Sequence, residues 1–178
     1  MMSFSSHLLP AALVSNGAGF VQVDENGKYY NAAETDAFLE AMNWVMDMVS
    51  KYEMKAPEGA EWNYFESAFI NGEVALQVHE DYFAGSLANM EDDYGFVFFP
   101  KGPRAKTYLY APSDNIMVIP ACYDADRAWK IAFAYNLFTN PTPGYTDSDD
   151  WKNGYYQKYR DERAVDETIT MMREPEHQ

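Results

Sequence analysis

The sequence predicts an α/β protein, rich in helix and built around a small sheet. Three observations carry this. Stretches of two-residue alternation take turns with stretches of three- and four-residue spacing, the periods of strand and helix. The helical stretches open on capping residues and close on Gly or Pro. Of the 178 residues, 47% are hydrophobic and 16% aromatic, which suits one domain with a real core rather than two.

The elements follow in order. Residues 5–14 read as a short helix, closed by "SNGAG". "FVQVDENGKYYN" reads as a small hairpin turning at Asp24 to Gly27. A long helix is expected from Asn31, with Glu34 three residues on, the spacing of a capping box. Its stripe is Phe38, Met42, Val45, Val49 and Tyr52, with Met42, Met46 and Met48 as core filler. Asn63 and Glu66 repeat the capping-box spacing ahead of a second helix with Phe65, Ala68 and Phe69 inside. Gly72 suits the left-handed residue after that helix. "EVALQVH" alternates, with Val74, Leu76 and Val78 on one buried side.

"DYFAGSLANM" predicts a short helix, and "YGFVFFP" a strand covered on both faces. "TYLYAPSDNIMVIP" gives two extended pieces broken at Pro112 to Asp114. Asp124 caps a strong helix that "TNPTPG" stops. The tail, 147–173, contains further helical pieces, and the ending "REPEHQ" reads as a cut in a longer chain.

Several functions are excluded or disfavoured. A net charge of −15 repels phosphate backbones and anionic lipid, so nucleic acid is not an expected partner. One cysteine permits neither an internal disulfide nor a Cys-rich metal site, and Cys122 reads as a buried, inert thiol. No apolar run approaches the ~20 residues of a membrane span. The N-terminus has no Lys or Arg ahead of its apolar patch and makes a poor secretory signal.

His7, His79 and His177 stand at no metal-ligand spacing from another His or Cys, so no metal is expected. No nucleophile elbow and no phosphate loop appear, and nothing calls for a cofactor. Glu80 and Asp81 are an adjacent acidic pair beside Tyr82. Glycosidase carboxyls sit about 5–9 Å apart on opposite sides of a bond, whereas neighbours on a strand face opposite ways. The chain therefore reads as non-catalytic; the alternative is a fragment of a carbohydrate-active enzyme using Glu80 or Asp114.

What remains is a pattern for binding. Aromatic rings stack on the apolar face of a sugar, while carboxylates and amides meet its hydroxyls. Trp62, Tyr82, Tyr108, Tyr110, Asp114 and Asn115 lie at the ends of expected elements, where α/β sites form.

Four segments, in this order, resemble the sugar-binding class of extracellular solute-binding proteins of ABC transporters. They are "GAGFVQVDENGKYYNAAETDAFLEAMNWVMDMVSKY", "FESAFINGEVALQVHEDYFAGSL", "DYGFVFFPKGP" and "NIMVIPACYDADRAWKIAFAYNLFTNP". Together they cover roughly residues 17–141. The resemblance implies a periplasmic-binding-protein-like fold of type II. Residues 1–178 would then be a single partial domain, mainly the second lobe and its hinge-crossing segments. It further implies a lipoprotein outside the cell or in the periplasm. This would bind a mono- or oligosaccharide and deliver it to ABC permease subunits, and this chain alone would bind weakly. By position, Tyr82 would face the cleft, Glu80 or Asp81 would accept from hydroxyls, and Tyr110 to Asn115 would line the wall. There Ser113, Asp114 and Asn115 replace small Gly-rich residues, and Trp62 is a further candidate.

Overall fold

The computed structural model describes residues 2–3, 7–111, 117–144 and 149–177. The expected break at Pro112, and the candidates Asp114 and Asn115, lie outside them. The architecture is mixed helix and strand. Its strands form two separate two-stranded ladders among the described residues, not one central sheet.

The first helix, α1 (Leu8–Ser15), ends against Asn16, and the chain then enters the hairpin β2 (Val21–Val23) and β3 (Tyr29–Asn31). β1 (Met2–Ser3) pairs elsewhere, parallel to β4 (Leu76–Gln77). The hairpin turn forms where its sequence demands it. The Asp24 carboxylate accepts from the amides of Asn26 and Lys28 at 2.8 and 2.9 Å.

The long helix α2 runs Asp36–Tyr52, five residues later than its expected start. Asn31 is held in the hairpin opposite Val21, so its backbone cannot open a helix. Thr35 caps instead, its hydroxyl accepting from the Phe38 amide. The inner stripe is Phe38, Ala41 and Val45, packed on Leu8, Ala12 and Leu13 of α1. Burial of each large apolar side chain here contributes about 1.5–3 kcal/mol. Val49 and Tyr52 continue the sequence pattern but are exposed, because α1 is too short to reach them.

The segment "PKGPR" is pinned to the end of α1. Gly102 donates its amide to the Ser15 carbonyl at 2.9 Å, and Arg104 donates to Asn16 Oδ1 at 3.1 Å. A Cβ at Gly102 would lie 2.7 Å from the Asn16 Cα, so only glycine allows this approach.

Helix α3 (Tyr64–Ile70) buries Phe65 and Ala68 and stops at Gly72, whose φ is 71°. The Asn63 side chain makes no bond to the helix backbone, so the expected capping box is incomplete. A 3-10 turn, Asp81–Leu87, buries Phe83, Ala84 and Leu87.

Two expected strands differ. β4 spans only two residues, paired with Met2 and Ser3 of β1. The run 94–100 joins no ladder among the described residues. It lays Tyr94 and Phe96 on the C-terminal helices while Val97 is 78% exposed, so one face is covered, not two. The C-terminal part is α5 (Lys152–Tyr156), a π-helical turn at Ala164–Ile169 and α6 (Thr170–Met172). Val165 and Ile169 anchor it beside Ala84 and Tyr159.

Helix α4 (Ala125–Thr139) forms where expected, with Asp124 accepting from the Arg127 amide at 2.8 Å. None of its residues is buried. Cys122, expected inside, is exposed, since the Met117 to Ile119 run before it and α4 after it both lie at the surface. Among the described residues no helix is long and apolar enough to cross a membrane.

Candidate functional site

Gln77, His79, Glu80, Asp81 and Phe83 form the rim and one wall of a small cavity of about 70 Å³. Phe69, Leu87, Tyr94, Phe96 and Tyr159 line the rest, with Ala84 and Gly95. A larger groove, about 380 Å³, adjoins it and shares Leu87, Tyr94 and Tyr159. Gln157, Lys158 and Glu162 give the groove its polar edge.

The polar feature that decides the chemistry is Gln77. Its side-chain nitrogen and oxygen are both buried, and neither has a hydrogen-bond partner among the described residues. A buried amide left unpaired costs on the order of 1–3 kcal/mol. Alternation had placed Leu76 inside and Gln77 outside. The structure reverses that pair: Leu76 is 56% exposed and Gln77 borders the cavity.

Beyond β4 the chain leaves the strand. Glu80 takes an extended conformation and precedes the 3-10 turn that Asp81 opens. Because strand geometry has ended, Glu80 and Asp81 do not face opposite sides; both border the same cavity. Tyr159, 78 residues away in sequence, donates its hydroxyl to the Asp81 carbonyl at 3.2 Å. Burial, with the nearby Asp81 charge, holds the Tyr159 phenol well above its ordinary pKa, so it serves as a donor.

His79 braces this rim. Its ring stacks on Phe83 at 4.3 Å and meets His7 at 4.7 Å on a tilt of 32°. Its Nδ1 accepts from the Glu80 amide at 2.9 Å, so the ring proton sits on Nε2 and is donated to Glu66 Oε1 at 3.3 Å. Burial, then the neighbouring His79, lowers the His7 pKa, while Glu80 and Glu66 pull it back.

The other sequence candidates are dispersed. Tyr82 is 62% exposed, its ring edge-on to His79 at 5.6 Å, outside the cavity lining. Trp62 is 82% exposed. Tyr110 donates its hydroxyl to the Met172 carbonyl at 2.7 Å and its amide to the His177 carbonyl at 2.9 Å. It ties down the C-terminal segment. Gln77, Tyr94 and Tyr159 were not singled out from the sequence, and nothing local to Tyr159 could have pointed to it.

The arrangement offers an amide donor and acceptor, two carboxylates, and tyrosine faces shared with the groove. It suits hydroxyl groups on a small polar ligand. Comparison with protein-family models, curated proteins and solved structures finds no match to this chain.

Proposed function

We propose that this chain is the solute-contacting part of an extracellular binding protein for an ABC importer, with a carbohydrate as the solute. The observation that carries the reading is the Gln77 amide. A buried donor and acceptor, unpaired among the described residues and bordered by Glu80 and Asp81, are complementary to vicinal hydroxyls. The cavity of about 70 Å³ holds only one edge of a sugar, and the adjoining groove of about 380 Å³ takes the ring beside Tyr94 and Tyr159. The type II fold, the importer and the extracellular location rest on the order of the four sequence segments. Closing a second lobe over this surface would supply contacts made only in the closed form, a shift of population on binding.

Nuclear magnetic resonance of the chain during titration with mono- and oligosaccharides tests the reading. The side-chain NH₂ signal of Gln77 is expected to move with saturable, millimolar-range affinity, and Gln77→Leu to weaken binding about tenfold or more. Absence of any shift across the panel would remove the sugar assignment. Hydrolysis of a chromogenic glycoside, abolished by Glu80→Gln, would replace it with the enzyme reading.

A further inference from the structure

A second cluster lies away from this cavity, where the C-terminal turn Pro175–His177 returns to the segment 107–110. His177 is 5% exposed and packs against Phe98 with ring centroids 5.7 Å apart. Its Nδ1 lies 2.7 Å from the Tyr108 carbonyl and 3.0 Å from the Thr107 hydroxyl. A carbonyl can only accept, so the shorter contact places the ring proton on Nδ1. Nε2 then faces the other way. It meets Glu174 Oε2 at 3.4 Å and Glu176 Oε1 at 3.5 Å.

The ring nitrogen Nε2 and two carboxylate oxygens thus converge. Among the described residues, the only ion-pairing partner of either carboxylate is this imidazole. A cation at the centre of this set would meet all three, in place of a second ring proton on Nε2. The spacing indicates which one. Tetrahedral zinc, with bonds of about 2.0–2.1 Å, sets its ligands about 3.3–3.4 Å apart. The two His–Glu separations match that, and the three ligand atoms all lie within 4.8 Å of one another. The carboxylate side chains are exposed, so their closure onto an ion is unhindered. A Nδ1–H bonded to a backbone carbonyl is also the outer-shell arrangement that orients zinc-bound histidine.

We propose that Glu174, Glu176 and His177 form a zinc site with its fourth position open to solvent. The ion would fasten the C-terminal turn to Thr107 and Tyr108. An imidazole with two carboxylates selects zinc over magnesium or calcium, which prefer all-oxygen cages. No histidine of the chain stands at metal-ligand spacing from another histidine or a cysteine; Glu-x-Glu-His at 174–177 supplies carboxylates instead.

The test is titration of the intact chain with zinc chloride against a chromophoric chelator, in excess magnesium. One zinc per chain at micromolar affinity or tighter is expected. The double variant Glu174→Gln, Glu176→Gln changes only exposed side chains, so its fold should survive; it should bind about tenfold more weakly or worse. Cobalt(II) should give the visible bands of a tetrahedral centre in the parent and lose them in the variant. Three results would each overturn the proposal. They are no zinc uptake, equal uptake by parent and variant, or displacement by magnesium. The last two would mean that the ion merely answers the chain's overall negative charge.

Discussion

Helices α2 and α4 begin in the same way and end up in different surroundings. Each opens on a side-chain cap, Thr35 for one and Asp124 for the other, and each carries several large apolar residues. Helix α2 confines its buried side chains to one stripe and lays it on α1. Helix α4 spreads Trp129, Ile131, Phe133, Tyr135, Leu137 and Phe138 around its circumference, and none is buried. The difference teaches that a cap specifies that a helix forms, while one-sided patterning specifies that a single neighbour can cover it. An all-round apolar helix needs cover on more than one side.

The contrast can be broken most directly in the core. Phe38→Ala should cost about 3–5 kcal/mol in urea unfolding, by lost burial and an unfilled cavity. Phe133→Ala should stay within about 0.5 kcal/mol, as a surface change does. Equal losses would mean that α4 is packed in solution.

The caps give a smaller, sharper comparison. Thr35→Ala should lower global stability by about 1 kcal/mol. Asp124→Ala removes an equivalent bond, yet should leave the unfolding midpoint nearly unchanged. It should show instead as faster hydrogen exchange confined to α4, since a helix of 15 residues without packing is marginal in water.

The smallest expected effect is a pH dependence in the α1 region alone. The His7 pKa is lowered from 6.5, first by burial and then by His79. The unfolded chain therefore takes up the proton first as pH falls. The stability His7 contributes is intact above pH 6.5 and is lost below it, toward the folded-state pKa. His7→Gln should flatten the melting temperature over that window, with exchange in α4 indifferent to it.

The sites were legible to different depths. The "HEDYF" lip was visible as a cluster of polar and aromatic residues after a Gly stop. Its bracing by His79 on Phe83 follows from side chains four residues apart, within the reach of sequence argument. The polarity of β4 was not legible. Period-two alternation tells which residues share a side, not which side meets a cavity. Here Gln77 borders the cavity and Leu76 is exposed. Tyr94, Tyr159 and the contact between His177 and Tyr108 depend on segments about seventy residues apart in sequence.

By itself, then, the sequence determined the local events: the hairpin at Asp24 to Gly27, the Asp124 cap, the stop at Gly72 and the one-sided stripe of α2. Each rests on bonds or contacts spanning a few residues, so the chain carries both partners close together. Tertiary structure alone decided that Asn31 would stay in a strand, that Leu76 and Gln77 would exchange sides, and that α4 would remain uncovered. Those outcomes depend on which distant surface arrives at each face, and a capped helix or alternating strand is compatible with more than one answer.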